Sequence, residues 1–434
     1  MDRGWGVEKL GLSDRDVAAW EHAAQEIEAH RCGDIILRVV NVDGAPLSNV
    51  PIRYRQQEPA FRYGIHYPHD RDVLTVLREA GINAATLFAG WKYVEPQHGF
   101  YNWEYLDQVW QPAMMRAAGL QLSAQGLNWF KPQWHVLPEY LLETPPSALP
   151  ELVYEHVGEL ARHWGAYVQR FELVSEPFWR EASAIELDLE DMLRICHATA
   201  LAIRDVLPTA QLEVGFGEIS RIRSYGVRPC DLVEALEKQG VPYDALGLYC
   251  FENAYSVTKP QIFYRAKTFT GILQTLRQYA AMGKPLHIAA LAVPSIPPQD
   301  KMPSYFKLPY GPWDEEKQAA YLHVVYTLLL AQPEVEGITW WCPVDGRLSY
   351  IAGGGLLRQD LSPKPAYHTL RDVIQQHMSA GQVHTDDEGQ AIVRGYAGEY
   401  ELTVGSGGRG RRIVERIEAR MVSKVTVVLD HATG

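Results

Sequence analysis

The sequence has little of what marks disulfide-rich, membrane-spanning or metal-binding proteins. Its 5 cysteines are an odd number, far apart and without a Cys-x-x-Cys pair, which argues against a disulfide framework and a structural zinc site. No apolar run reaches the roughly 18 residues of a membrane span. The chain opens without a basic segment followed by an apolar run, so no signal peptide is visible. We expect no metal, no cofactor, no membrane partner and a cytoplasmic location, unless a leader was removed.

Positive charge is also scarce, since Lys and Arg total 41 against 53 for Asp and Glu, a formal net charge of −12. An acidic surface repels polyanions, so nucleic acid is not expected as a partner. Aromatic side chains are abundant instead, with 12 Trp and 23 Tyr against 11 Phe. Trp and Tyr combine a flat apolar face with a polar edge, which suits both a large core and a binding surface.

Eight short apolar runs alternate with segments of helical period. The runs cover 61–67, 83–89, 120–127, 170–177, 211–217, 245–251, 285–291 and 335–342. Each has the length and composition of a strand buried on both faces. Segments near 186–206 and 314–332 repeat apolar residues every three or four positions. This alternation predicts an α/β fold, a (β/α)8 TIM barrel. A doubly wound open sheet lacks support because no Gly-x-Gly-x-x-Gly follows the first strand.

Both flanks of the predicted barrel alternate like half-exposed antiparallel strands. We divide the chain into a β-rich N-terminal segment (1–60), the barrel (61–380) and a β-rich C-terminal segment (381–434). Each flank is too short to form a stable β-sandwich by itself, so we expect the two to pack into one accessory β-module. A structure without sheet contact between 33–57 and 390–430 would refute this.

The active site of such a barrel lies at the carboxyl ends of its strands. Glu176 ends the fourth run, where a carboxylate suits a general acid. A helix cap or an arginine partner is an equally good interpretation of the pattern alone. Aromatic side chains after the strand ends could stack on sugars or fill the core.

Several motifs occur in the order found in a known family. They are Trp91 to Trp103 with Glu95-Pro96, Phe171-Glu-Leu-Val-Ser-Glu176, Trp341-Cys-Pro-Val-Asp345, and Leu356-Leu357 to Asp360 followed by Lys364-Pro-Ala-Tyr367. With them, segment 61–378 resembles glycoside hydrolase family 10, the endo-xylanase family. The resemblance implies retaining hydrolysis of a β-linked glycan by two carboxylates and no cofactor.

The resemblance makes Glu176 the acid/base and places the nucleophile at Ala290. Where the family has Ile-Thr-Glu-Leu-Asp, this chain has Ile288-Ala-Ala-Leu-Ala292. An alanine cannot attack an anomeric carbon, and a retaining mechanism needs two carboxylates about 5–5.5 Å apart.

Three hypotheses account for Ala290. The leading one is an engineered inactive mutant in which alanine replaces a glutamate. The second is a nucleophile moved to Glu252, Glu218 or Asp345. The third is a carbohydrate-binding pseudoenzyme. A glycosidase of small-molecule glycosides is a further alternative.

We predict a set of substrate-binding residues at the mouth, the tryptophans from their positions after the strand ends and the others from the strand ends and the family pattern. These are Trp91, Gln125, Trp129, Ser175, Trp179, Tyr249, Phe251, Glu252, Trp341 and Asp345. Several differ from the family pattern: Gln125 stands for a His, Ser175 for an Asn, and Tyr249 and Phe251 for a Gln and a His. Sites built on hydrogen bonds reject analogues strongly, so we expect either a xylan-like or a more unusual glycan. Oligomeric state and endo or exo action stay open.

Overall fold

The computed structural model describes most of the chain. The described residues are 5–68, 70–131, 136–177, 185–218, 228–251, 268–297, 310–347, 351–406 and 410–429. Their helices are α1 (Trp5–Leu10), α2 (Asp14–Arg31), α3 (Arg71–Glu79), α4 (Trp91–Val94), α5 (Trp103–Trp110), α6 (Pro112–Ala117), α7 (Glu139–Leu142), α8 (Leu149–Trp164), α9 (Leu189–Val206), α10 (Pro229–Gln239), α11 (Phe269–Ala280), α12 (Glu315–Leu330) and α13 (Pro365–Gln376). Their strands are β1 (Cys32–Asn41), β2 (Pro51–Pro59), β3 (Arg62–His66), β4 (Ala84–Phe88), β5 (Gln121–Gln125), β6 (Val168–Ser175), β7 (Gln211–Glu218), β8 (Ala245–Cys250), β9 (Leu286–Leu291), β10 (Val335–Trp340), β11 (Ala380–His384), β12 (Gln390–Tyr396), β13 (Gly398–Val404), β14 (Arg411–Ile417) and β15 (Val422–Leu429).

Strands β3 to β10 close into a parallel barrel, with β10 pairing to both β9 and β3. Each overlaps one of the eight apolar runs, so the predicted (β/α)8 barrel is confirmed. Strands β3, β8 and β9 are buried at every residue, as expected when helices cover the outside and side chains fill the inside.

The two helices predicted from periodicity begin at acidic caps. Asp188 accepts a hydrogen bond from the Asp191 amide at the start of α9, and Asp314 accepts one from the Lys317 amide at the start of α12. Such caps satisfy amide groups that have no partner within the helix. Of the described helices, none is both long and apolar enough to span a membrane.

Both flanks join in one two-sheet module, as predicted. In the first sheet β1 pairs antiparallel with β12 and parallel with β15; in the second β2 pairs antiparallel with β11 and β13, and β14 forms the edge. Alternate residues of these strands, such as Ile35, Leu37, Val393 and Leu402, are fully buried between the sheets.

The prediction of a β-rich segment over 1–60 is wrong for residues 5–31, because these contain the helices α1 and α2. Both helices pack against α12 on the outside of the barrel. At the end of α2, Arg31 donates hydrogen bonds to the carbonyl oxygens of Leu330, Gln332 and Val335, at 2.9, 2.5 and 2.6 Å. Only Asp16, Ala23 and Ile27 of α2 are buried, so its sequence shows only a weak apolar periodicity.

Candidate active site

Glu176 directly follows β6 at the carboxyl end of the barrel. Its backbone has a φ of +50°, which few non-glycine residues adopt, and its amide donates to the Gly215 carbonyl at 2.8 Å. Strained backbone of this kind clusters at functional sites. The Trp129 indole donates to Glu176 Oε2 at 2.9 Å, and the Lys131 ammonium pairs with the same oxygen. The Lys131 and Glu176 side chains are only 3% and 12% exposed.

A second carboxylate, Glu172, lies inside the barrel just below this level and is 1% exposed. It accepts hydrogen bonds from the Gly126 amide at 3.0 Å, the Tyr249 hydroxyl at 2.9 Å and the Ser175 hydroxyl. Burial raises its pKa to about 7, against the lowering effect of these hydrogen bonds. Gly215 makes room for it, because a Cβ there would collide with Glu172 Oε1.

The side chains around Ala290 are mostly aromatic and aliphatic. Ala290 is fully buried in a cluster with Tyr249, Phe251, Ala289, Ala292 and Ile351, against which Trp341 packs. In the pairing of β8 with β9, Tyr249 lies opposite Ala290.

Two buried polar atoms at the mouth have no hydrogen-bond partner among the described residues, Gln125 Nε2 and His66 Nδ1. His66 Nε2 lies 2.7 Å from the Ala289 carbonyl oxygen, and the His66 ring lies 4.3 Å from the Trp341 ring. Burial lowers the pKa of His66 to about 3, so its ring is neutral, with Nε2 as donor and Nδ1 as acceptor. Unpaired buried polar atoms are costly and mark places where a ligand or water can bond.

The substrate-binding assignment of Trp91 needs correction. Trp91 is 1% exposed, its indole donates to Glu95 Oε2 and Tyr140 Oη at 3.0 and 2.8 Å, and its ring stacks on His156 at 4.0 Å. The ring is therefore part of the core and leaves no face for a sugar.

The remaining predicted residues fall into three groups. Trp129, Ser175, Tyr249, Phe251, Trp341 and Gln125 lie at or shortly after the carboxyl ends of barrel strands, the end that carries Glu176, and their substrate contacts stay a prediction. Asp345 is engaged elsewhere, because it accepts from the Lys364 ammonium at 3.2 Å and the Gly355 amide at 2.7 Å. Trp179 and Glu252 lie outside the described residues, and Glu218 ends β7.

The sequence reasoning missed Glu172 and Lys131. The sequence could have indicated Glu172, because it is a single carboxylate inside the apolar run Phe171-Glu-Leu-Val. A charged residue is rarely buried without a partner or a role. Lys131 carried no comparable signal. Over the described ranges, no group of three or more His, Cys, Asp or Glu side chains could hold a metal ion.

A closed (β/α)8 barrel with carboxylates at the carboxyl ends of its strands defines an enzyme-type barrel. The model of glycosyl hydrolase family 10 matches residues 81–373, and the chain belongs to this family. Membership supports a glycosidase, a hydrolase that acts on glycans.

Two fungal relatives illustrate the distance within the family. The chain is 24% identical over 293 residues to an endo-1,4-beta-xylanase of Agaricus bisporus, covering 65% of this chain and 79% of that one. It is 23% identical over 194 residues to endo-1,4-beta-xylanase C of Phanerodontia chrysosporium, covering 41% and 44%.

Solved structures share the fold. An endoxylanase of the family retrieved from a sugarcane soil metagenome gives a TM-score of 0.56 at 19% identity, covering 72% of this chain and 97% of that one. Xylanase 10B of Thermotoga petrophila gives 0.53 at 17% identity, covering 73% and 93%.

Proposed function

We propose that this chain cleaves a β-glycosidic bond of a poly- or oligosaccharide bound at the mouth of its barrel, with Glu176 as acid/base. The observation that carries the proposal is the geometry of Glu176. It is held after β6 in a strained backbone conformation, with the indole of Trp129 and the ammonium of Lys131 on one oxygen. Glu176 protonates the departing oxygen, and its carboxylate then activates the water.

We propose a xylan-like or more unusual β-glycan as substrate. The named relatives are xylanases, but the groups around Glu176 differ from the family pattern. The Ser175 hydroxyl is already committed to Glu172, and Phe251 offers only an apolar ring. The unpaired donor of Gln125 supports a polar ligand at this mouth.

The apolar packing around Ala290 favours a site adapted to alanine over a single engineered change. A glutamate at 290 would place a carboxylate among Phe251, Ile351 and Trp341, opposite a Tyr249 whose hydroxyl already donates to Glu172. Burying a charge among apolar groups costs several kcal/mol unless it is paired. Of the three proposed substitute carboxylates, Asp345 is bound to Lys364.

The same packing favours a second candidate function, glycan binding without turnover. A barrel that has filled the nucleophile position with apolar side chains would keep its binding surface and lose the covalent step.

A panel of β-1,4-linked xylo-, cello- and manno-oligosaccharides tests both candidates, with calorimetry for binding and product chromatography for cleavage. We expect cleavage that falls by about 10²-fold or more in Glu176→Gln, with binding kept. Glu151→Gln, an exposed change on α8, is the control and leaves the rate unchanged. Binding without cleavage establishes the second candidate, equal rates in Glu176→Gln refute the acid/base role, and no binding refutes both candidates for these three classes of glycan.

A further inference from the structure

The pair formed by Tyr249 and Glu172 stands beside the position at which the expected nucleophile is missing. Tyr249 lies opposite Ala290 on the neighbouring strand, and its hydroxyl donates to Glu172 Oε1 at 2.9 Å. Tyr249 is 8% exposed and Glu172 is 1% exposed, so both are buried and Tyr249 is the less buried of the two residues. Glu172 already accepts three hydrogen bonds, so it cannot itself turn to a substrate.

Two glycines of β7 relate this pair to Glu176. A Cβ on Gly215 would collide with Glu172 Oε1, and one on Gly217 would lie 2.8 Å from Glu176 Oε1. Both carboxylates therefore lie against the same short stretch of β7, and Tyr249 of β8 pairs with the next residue of that strand, Glu218. A retaining glycosidase needs its two reacting groups about 5–5.5 Å apart, so the proposal requires the Tyr249 hydroxyl and Glu176 to reach the bound sugar from this one stretch.

We propose that Tyr249 is the nucleophile of this glycosidase and that Glu172 is its base; this rests on the proposed function. In the first step Tyr249 Oη bonds to the anomeric carbon and its proton passes to Glu172. The bond to the leaving oxygen breaks, and that oxygen takes the proton of Glu176. In the second step water loses a proton to Glu176 and adds to the anomeric carbon. The bond to Tyr249 breaks, and its oxygen recovers the proton from Glu172.

Burial acts on both partners of this proton transfer. Burial raises the pKa of Tyr249 well above its usual value, so a free phenolate does not form and the proton must leave as the new bond forms. Burial also raises the pKa of Glu172 to about 7, which makes it a better proton acceptor than an exposed carboxylate. Tyrosine serves as nucleophile in one group of glycosidases, so the chemistry has a precedent in another fold.

Trapping of the covalent intermediate tests the proposal directly. The wild-type chain is incubated with 2,4-dinitrophenyl 2-deoxy-2-fluoro-β-glycosides of xylobiose and cellobiose, then digested and analysed by mass spectrometry. We expect one glycosyl group on the peptide that contains Tyr249. A label on another residue, or none while the enzyme turns over oligosaccharides, overturns the proposal and leaves the proposed function standing.

Variants and stereochemistry supply the second measurement. In Tyr249→Phe we expect kcat to fall more than about 10³-fold with KM little changed, because the covalent step is removed. Tyr243→Phe is the matched control, since the Tyr243 hydroxyl bonds to Glu237 away from the mouth, and it keeps the wild-type rate. NMR of the first product should show the β-anomer. Inversion, or wild-type rates in Tyr249→Phe, refutes the nucleophile alone, and absence of any cleavage refutes it together with the proposed function.

Discussion

Two glutamates on neighbouring barrel strands, Glu172 on β6 and Glu213 on β7, are equally buried but have different kinds of partner. Both are 1% exposed, and each lies against a glycine of the next strand, Gly215 or Gly247, whose missing side chain leaves it space. Glu172 meets an amide and two hydroxyls. Glu213 meets Arg170 at 2.8 Å and His287 at 2.9 Å.

Because their partners differ, the pKa values of the two glutamates shift in opposite directions. Burial raises the pKa of Glu172 to about 7. Burial opposes the charge of Glu213 as well, but His287, Arg170 and Arg62 together outweigh it and lower the pKa to about 2. Two equally buried glutamates therefore differ in charge. Glu213 stays ionised over the usual pH range, whereas Glu172, in the layer that carries the candidate site, can titrate.

Removal of the cation from Glu213 should have the largest effect. Arg170 also contacts Glu336 at 2.5 Å, so Arg170→Met takes one cation away from two carboxylates at once. We expect the free energy of unfolding to fall by about 3–5 kcal/mol, measured by urea denaturation at pH 7. The control Arg204→Met breaks a more exposed pair with Asp244 and should cost less than about 1 kcal/mol. Equal losses in both variants would show that the Glu213 layer is not held by charge.

The pH dependence of stability should separate the two glutamates next. The pKa of Glu172 is about 7 in the folded state against 4.5 ordinarily, so the folded state keeps a proton that the unfolded state has released. Stability from this group is therefore lost as pH rises from about 4.5 to about 7. Relative to Glu172→Gln, the wild-type free energy of unfolding should fall on the order of 3 kcal/mol between pH 4.5 and 8. A difference that stays constant with pH would show that Glu172 ionises normally.

Loss of one hydroxyl should have the smallest effect. Ser175→Ala removes a hydrogen bond to Glu172 and should cost about 1 kcal/mol of unfolding free energy. It should also raise the pKa of Glu172 further, because that bond lowers it. Ser362→Ala, whose hydroxyl donates to exposed Asp360, is the comparison and should change stability less. Thermal unfolding measures the first effect, and the pH titration of stability measures the second.

The barrel could be predicted from the sequence because every strand is a short apolar run and the runs alternate with helices. The terminal β-module followed from period-two alternation in both flanks. The two N-terminal helices were missed because few of their residues are buried, so they show little apolar periodicity. The hydrophobic pattern within a single strand or helix therefore predicts that strand or helix well.

The candidate site was predictable only in part. Glu176 could be placed because it ends a strand, and Ala290 because a motif surrounds it. Two partners of Glu172 come from other parts of the barrel, Gly126 just after β5 and Tyr249 on β8, and the Lys131 contact crosses from one strand end to another. Such contacts depend on barrel register, which the sequence pattern does not reveal. Trp91 was misassigned because a Trp after a strand fits the core and the mouth equally well.

The pairing of β1 with β12 and β15 has a consequence for synthesis on the ribosome. Ile35 of β1 lies opposite Ser423 of β15, so nearly the whole chain is made between the two partners. Synthesis adds about 5–20 residues per second, so roughly 20–80 s pass between the synthesis of β1 and that of β15. The barrel can close during that delay, and the sandwich then forms only on chains whose last strands are complete. Nascent chains halted after the barrel would expose the bare edges of β1 and β2, which are sites for aggregation and quality control.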